Sequence, residues 1–255
     1  MNDFAGKCGL IVGVANKYSI AWAIAQTVAR RGAKLALTYQ GRFEDHVKKL
    51  GTELPAAPLV LPCDVASDAD IAAVFEHVDK EFGGLDFLVA GAAFAPPAEL
   101  DGDFLDTSRE GFRTALDISA YSLIALTRGA APLMERRGGG SVLTLTYLGS
   151  ERVFPHYNVM GVAKAALDAS MRYLAADLGG ANIRINAVSA GPVRTLAARS
   201  IPGFTTMEDI VAERAPLGRN IDAGDVAKAA VYLLDSENVT GTIAYVDAGY
   251  HAMGM

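Results

Sequence analysis

The stretch "CGLIVGVANKYSIAWAIA" (residues 8–25) decides the fold of this chain. Its first seven residues form an apolar run typical of a buried strand, and the residues after Ser19 show the apolar periodicity of a helix. Small and polar residues between them leave room only for a tight turn. A strand, a turn and a helix in this order predict the first unit of an α/β sheet.

The same rhythm continues along the chain. Apolar runs predict further strands at 34–39, 58–63, 85–91, 140–147, 183–189 and 242–249. Helical patterns such as 19–33 and 67–83 separate them, and runs that are apolar throughout are typical of strands covered on both faces. We therefore predict a single-domain, Rossmann-type, doubly wound parallel sheet of about seven strands, spanning residues 1–255. The long segment 191–222 follows the carboxyl end of a strand, where such sheets bind ligands, and we interpret it as a substrate lid.

Composition restricts the class of function. Hydrophobic residues make up 51% of the chain and charged residues 20%, which favours a sizeable core. The net charge of −6 contains no long run of one sign, so nucleic acid is not an expected partner. Cys8 and Cys63 are expected to be buried, reduced thiols. No signal sequence and no continuous apolar span is visible, which predicts a cytoplasmic protein without a membrane partner.

The turn after the first strand carries small residues at Gly13, Ala15 and Ser19. Such residues let backbone N–H groups and a helix N-terminus approach a pyrophosphate. The pattern is not G-x-G-x-x-G, and a simple tight turn also explains it. Its position after the first strand of an α/β chain favours the nucleotide interpretation.

Two further strand ends bear on the adenosine half of a dinucleotide. Gln40, after the second strand, is neutral but can hydrogen-bond a ribose hydroxyl, which favours NADH. Arg42 nearby can attract a 2′-phosphate, so NADPH stays open. Asp64, after the third strand, can accept a hydrogen bond from the adenine amino group, with the backbone of Val65 alongside. Alternatively, Asp64 only complements the dipole of the helix that follows.

Tyr157 and Lys164 are the candidate chemical groups. Seven residues are almost two helical turns, so both side chains are expected on nearly the same face. A lysine there can hold the hydroxyls of a nicotinamide ribose and favour a partly ionised tyrosine. Tyr147 lies ten residues before Tyr157, at the end of the fifth predicted strand. The three residues predict an acid and oxyanion site, and packing tyrosines with a solvated lysine are the alternative.

Longer motifs support a family resemblance. They include "GVANKYSIAWAIA" (13–25), "LTYLGSERVFPHYNVMGVAKAALDASMRYLA" (145–175), "IRINAVSAGPVRTLAA" (183–198) and the ending "VDAGYHAMGM" (246–255). The chain resembles, nearly end to end, the enoyl-acyl-carrier-protein reductases of the divergent branch of the short-chain dehydrogenase/reductase superfamily. Tyrosine-x6-lysine with a second tyrosine ten residues earlier is specific to that branch. The simple reductases of the superfamily use tyrosine-x3-lysine, and the corresponding position here is Gly161.

The resemblance implies NADH-dependent reduction of the carbon–carbon double bond of trans-2-enoyl thioesters in fatty-acid elongation. It implies that Tyr157 stabilises the developing enolate oxygen, that Lys164 binds the nicotinamide ribose, and that Tyr147 assists near the thioester carbonyl. The cofactor-lining residues it implies are Gly13, Ser19, Ile20, Gln40, Asp64, Val65, Ala92, Lys164 and the backbone of Val193, Arg194, Thr195, Leu196 and Ala197. The acyl-channel residues it implies are Ala95, Met160, Ala198, Ile201 and Phe204. For Met160 and Phe204, plain core packing is an equal explanation.

The chain departs from the family pattern at two places. Gly91, Ala92 and Ala93 are smaller than the usual residues before "FAP". The stretch "RSIPGFTTMED" (199–209) contains one base, Arg199, where family members often carry several that meet an acidic carrier. The expected substrate is therefore an enoyl thioester carried by acyl carrier protein or by CoA.

Three other functions stay open for this chain. The alternative enzymes are a carbonyl or alcohol dehydrogenase of the same superfamily and an altered paralogue that acts on a different enoyl thioester. A nucleotide-sensing protein without catalysis is the alternative from another class.

The family is typically tetrameric, and small residues on the helix near 158–178 suit a homotetramer, although burial within one subunit explains them equally.

Overall fold

The computed structural model describes residues 3–195, 198 and 203–254. One parallel sheet of seven strands forms its centre, in the order β3-β2-β1-β4-β5-β6-β7. The strands are β1 (Cys8–Val12), β2 (Lys34–Tyr39), β3 (Leu59–Pro62), β4 (Phe87–Ala90), β5 (Gly140–Thr146), β6 (Ile183–Ala190) and β7 (Ile243–Val246). Each predicted strand is therefore present, with ends that differ by no more than three residues.

Helices connect the strands. The α-helices are α1 (Ile20–Arg30), α2 (Glu44–Gly51), α3 (Asp68–Phe82), α4 (Arg109–Leu116), α5 (Ser122–Glu135), α6 (Asn158–Leu178), α7 (Phe204–Arg214) and α8 (Ala223–Asp235). Local sequence sets several of their ends. In α3, the Ser67 side chain accepts a hydrogen bond from the Asp70 N–H at the start, and Gly83 adopts a left-handed conformation at the end. Among the described residues, no helix has both the length and the apolar character needed to cross a membrane.

Both faces of the sheet are buried, because successive strand residues point to opposite sides. Along β1, Leu10 and Val12 join one core cluster with residues of α3, α5 and α6. Ile11 joins the second cluster with residues of α1, α2 and α8. This two-sided cover explains why the strands are apolar throughout rather than alternating. It confirms the predicted doubly wound arrangement.

The strand order places a crevice beside β1. From β1 the sheet runs to β2 and β3 on one side and to β4 through β7 on the other. Open sheets of this kind bind ligands where the order reverses, at the carboxyl ends of the strands. The turns after β1 and β4 meet there, since a Cβ placed on Gly13 would lie 2.6 Å from the Gly91 carbonyl carbon.

Candidate active site

The turn after β1 is shaped to receive an anion. Gly13 has a φ of +99° and no space for a side chain against Gly91, so the backbone passes close to the crevice. The buried Ser19 hydroxyl accepts hydrogen bonds of 3.1 Å from the N–H groups of Ala15 and Asn16. Ser19 therefore orders the turn and does not cap α1 with its side chain. The first turn of α1 also carries no acidic residue, which leaves its N-terminal dipole end suited to a phosphate group.

The structure brings the predicted adenosine residues together. Gln40 lies just beyond β2 and Asp64 just beyond β3, and the Gln40 amide nitrogen is 3.4 Å from the Asp64 carboxylate. The other Asp64 oxygen accepts a hydrogen bond of 3.0 Å from the Ala66 N–H. Asp64 thus also organises the turn that leads into α3. Val65 is half-buried against the core, and the Arg42 guanidinium lies over the Phe43 ring.

Tyr147 and Tyr157 form the centre of the site. Tyr147 follows β5 and Tyr157 directly precedes α6, and their ring centroids are 4.9 Å apart at 68°. Gly149 makes this approach possible, because a Cβ there would lie 2.5 Å from the Tyr157 ring and 3.0 Å from the Tyr147 ring. Phe154 packs against Tyr147 with a centroid distance of 5.0 Å. The tyrosines predicted from sequence are therefore in direct contact.

Lys164 is buried on α6, nearly two turns beyond Tyr157. Its ammonium donates a hydrogen bond of 2.7 Å to the Leu145 carbonyl, in β5. Burial lowers the pKa of Lys164 from 10.5 to about 8, and the nearby Asp168 carboxylate acts in the opposite direction. The ammonium is therefore still charged at neutral pH, within reach of the crevice edge of β5.

The tyrosine hydroxyls are held protonated. Burial, the largest effect, raises the pKa of Tyr157 and that of Tyr147 well above the usual value. The expectation that Lys164 favours a partly ionised tyrosine is therefore not met: loss of solvation is the largest effect on the pKa of both tyrosines, and Lys164 is not among the charges that shift them. Both hydroxyls act as hydrogen-bond donors at neutral pH, which is the form that can meet a developing oxyanion.

Asp168 is a site residue that the sequence reading missed. It lies four residues after Lys164 on α6 and is 4% exposed. Its Oδ1 atom is buried, with no hydrogen-bond partner in the described part of the chain. Burial raises the pKa of Asp168, while Ser150, Thr146 and Lys164 lower it. The i, i+4 spacing from Lys164 was the signal that could have identified it.

Gly161 occupies the position at which simple reductases of this fold carry their lysine. A Cβ there would lie 2.8 Å from the carbonyl oxygen of Gly149, the residue that also allows the two tyrosine rings to approach each other. The position is therefore closed to side chains by the backbone that shapes the tyrosine pair. The wider tyrosine–lysine spacing and the short turn after Tyr147 are parts of one arrangement.

The predicted acyl-channel residues lie near the tyrosines where the structure describes them. Ala95 and Met160 are buried in one cluster with Tyr157, and Tyr147 packs against it. Ala198 is buried, and half-buried Phe204 begins α7. Ile201, Leu196 and Ala197 lie outside the described residues.

The chain after β6 approaches the site from the other side. Val193 packs against the core, and the Thr195 hydroxyl oxygen accepts a hydrogen bond of 3.1 Å from the Ala198 N–H. From α7, the Met207 sulfur accepts a hydrogen bond of 3.2 Å from the Tyr147 hydroxyl. Met207 was not identified from sequence, since a methionine in a helix has no signal that separates core from site.

Fold and site together define a dinucleotide-binding reductase of the short-chain type with a tyrosine–lysine centre. The family model described as "Enoyl-(Acyl carrier protein) reductase" matches residues 13–251, and the chain belongs to this family. It is 51% identical over 252 residues to the enoyl-[acyl-carrier-protein] reductase [NADH] FabI of Rickettsia conorii (strain ATCC VR-613 / Malish 7), covering 98% of this chain and 96% of the relative.

Solved structures agree with the fold. The Bacillus cereus enoyl-acyl carrier protein reductase, in a complex with NADP+ and indole naphthyridinone, superposes with a TM-score of 0.97 at 47% identity and covers 100% of both chains. The Anaplasma phagocytophilum enoyl-(acyl-carrier-protein) reductase in complex with NAD gives a TM-score of 0.94 at 46% identity. That match covers 99% of this chain and 97% of the other.

Proposed function

We propose that this chain is an NADH-dependent enoyl thioester reductase that reduces the carbon–carbon double bond of trans-2-enoyl substrates. The observation that carries the proposal is the contact of buried Tyr157 with half-buried Tyr147, together with the buried Lys164 nearly two turns further along α6. Similarity to enoyl-[acyl-carrier-protein] reductases [NADH] supports the same activity. We also propose that residues 1–255 act as one reductase domain.

The described residues fit a nicotinamide dinucleotide. The Gly13 turn, Ser19 and the N-terminus of α1 at Ile20 would hold the pyrophosphate, because the first turn of α1 carries no acidic residue and its dipole end favours an anion. Gln40, Asp64 and Val65 would meet the adenosine. Ala92, Lys164 and the segment 193–197 would face the nicotinamide half. Gln40 favours NADH, and Arg42, lying beyond it, would receive a 2′-phosphate if NADPH is bound. When bound, the dinucleotide supplies the hydride.

The tyrosines supply the charge stabilisation. Reduction at the β-carbon moves negative charge onto the thioester carbonyl oxygen, and the Tyr157 hydroxyl would donate a hydrogen bond to that oxygen. Tyr147 would support the carbonyl from the adjacent ring. Because Tyr157 is buried, little competing water reaches its hydroxyl, and the donor needs no reorganisation as charge develops. Ala95, Met160, Ala198, Ile201 and Phe204 would line the path of the acyl chain.

The Gly161 geometry disfavours a carbonyl or alcohol dehydrogenase. A lysine four residues after Tyr157 has no space, because the Gly149 carbonyl oxygen lies 2.8 Å from the position of its Cβ. The half-buried Tyr147, which packs against Tyr157, is also unexplained by ketone chemistry. A binding protein without catalysis would have no need of two paired tyrosine hydroxyls, whereas the Lys164 ammonium would serve cofactor binding with or without catalysis.

The carrier is the open part of the substrate. At the start of α7, Thr205 and Thr206 are exposed, and the helix carries three acids and one base, Arg214. Such a helix gives little attraction to an acidic carrier protein. We propose that the enzyme accepts enoyl thioesters of CoA as well as those of acyl carrier protein.

The test is turnover by the purified chain. With NADH in excess, crotonyl-CoA and crotonyl-acyl carrier protein are supplied in separate reactions, and loss of nicotinamide absorbance is followed. We expect turnover with at least one thioester and none with simple ketones. Turnover of ketones alone would establish the dehydrogenase alternative, and NADH binding without turnover of any substrate would establish the sensing protein.

We further propose a cytoplasmic homotetramer. Exposed Ala165 and Tyr173 give α6 a surface of small and apolar groups on which a second copy can pack. Light scattering coupled to size exclusion tests the assembly, and a monomeric mass would contradict it.

A further inference from the structure

We infer that Glu208 is a positioning residue, which ties α7 through Arg194 to the chain segment that faces the cofactor. The inference rests on the proposed function, because that function places residues 193–195 against the nicotinamide half. It adds a residue to the machinery that neither motif nor charge pattern indicated.

Glu208 is unusual in its place on α7. The buried residues of this helix are Glu208 and Val211, three positions apart on one face. An apolar side chain is the ordinary occupant of such a position. Glu208 is instead a carboxylate with 5% of its surface exposed, and a buried carboxylate is costly unless a partner meets it.

Arg194 is that partner. Its Nε atom lies 3.0 Å and 2.8 Å from the two carboxylate oxygens of Glu208. The Arg194 side chain is 74% exposed, so the ion pair joins a guanidinium at the surface to a buried carboxylate. A charge-assisted contact of this kind joins two segments that are separated by 14 residues in sequence.

The two ends of α7 are anchored by different forces. Val211 and Ala215 pack with Ala248 in a small apolar cluster, which holds the C-terminal half. Toward the N-terminal end, the described contacts are polar: Glu208 with Arg194, and Met207 with the Tyr147 hydroxyl. The ion pair therefore sets where the first turns of α7 lie relative to Tyr147.

The segment around Arg194 is also fixed from its other side. Gly191 donates its N–H to the Val246 carbonyl at 2.8 Å, and Val193 packs against the core. Arg194 comes next and is held by Glu208. Loss of the carboxylate charge would free this segment on one side and α7 on the other. The proposed cofactor-facing residues 193–195 and the first turns of α7 would then no longer be held at fixed positions relative to each other.

The experiment measures NADH affinity in a double-mutant cycle. NADH fluorescence titrations give Kd for wild type, Glu208→Gln, Arg194→Gln and the double variant, with no enoyl substrate present. We expect each single change to raise Kd about 3- to 10-fold, and the double variant to resemble either single, because the residues act as a pair. Asp209→Asn, the same charge change at the exposed next position, is the matched control and should leave Kd unchanged.

Two other measurements separate positioning from general stability. Glu208→Leu fills the buried position with an apolar side chain, so its thermal midpoint should equal or exceed that of wild type while its Kd still rises. Hydrogen exchange of residues 203–214 without NADH should be faster in Glu208→Gln than in Asp209→Asn. Wild-type Kd in Glu208→Gln, or multiplied effects in the double variant, would overturn the inference. A wild type that binds no NADH would instead overturn the proposed function.

Discussion

Replacing Lys164 by methionine tests whether the site keeps a buried charge at the expense of folding. Burial lowers the pKa of Lys164 from 10.5 to about 8. Because the unfolded chain holds this proton more tightly, the folded protein gains stability as pH rises from about 8 to 10.5. At about 1.36 kcal/mol for each pH unit, that interval corresponds to about 3 kcal/mol in the free energy of unfolding.

The assay is urea unfolding of wild type and Lys164→Met at several pH values. Methionine has similar length and no titratable group, and contributions common to both proteins cancel in the difference. We expect the wild-type value minus the variant value to be constant near neutral pH and to rise by about 3 kcal/mol between pH 8 and 10.5. A difference that stays flat across this range would refute the burial of a charged Lys164.

NADH affinity should follow the same titration. Wild-type Kd should rise as pH passes through about 8, because the ammonium that we propose meets the ribose loses its proton. Lys164→Met should bind weakly at neutral pH and show no such transition. Lys228→Met, at an exposed lysine of α8, is the control and should match wild type in both measurements.

Three shorter predictions concern the surrounding residues. Tyr157→Phe should lower kcat about 100- to 1000-fold with little change in NADH Kd, since it removes the proposed oxyanion donor. Steady-state kinetics and fluorescence titration separate the two effects. Gly161→Ala should destabilise the fold by about 1–3 kcal/mol because of the 2.8 Å approach to Gly149, whereas Gly180→Ala, with no atom within 4 Å, should be tolerated; thermal unfolding compares them. Ser19→Ala should weaken NADH binding several-fold, as the turn loses its hydrogen-bond acceptor, and calorimetry measures this.

The sheet could be predicted because its signals are local. Each strand is an apolar run bounded by turn residues, and burial on both faces makes that run continuous. The ends of α3 were likewise readable, since Ser67 caps it and Gly83 takes the left-handed conformation that few other residues adopt. What the pattern could not give was the strand order, which depends on how the helices cover the sheet.

The site was predictable only in part, for a related reason. Tyr157 directly precedes α6 and Lys164 lies on it, so helical spacing alone predicts that they lie on nearly the same face. The lysine's acceptor is a backbone carbonyl of β5, which no side-chain pattern reveals. Glu208 reads in sequence as a solvated acid, and only the docking of α7 beside Arg194 makes it a buried partner.

Burial acts on the three central groups at once and gives them compatible protonation states. The same loss of water raises the pKa values of Tyr147 and Tyr157 and lowers that of Lys164. With less burial, water would compete for the oxyanion. With more burial, the pKa of Lys164 would fall further and the lysine would lose its proton at neutral pH. Asp168 opposes that discharge, because its carboxylate is the nearby charge that raises the pKa of Lys164. Asp168, on the next turn of α6, therefore helps Lys164 remain a cation although it is buried.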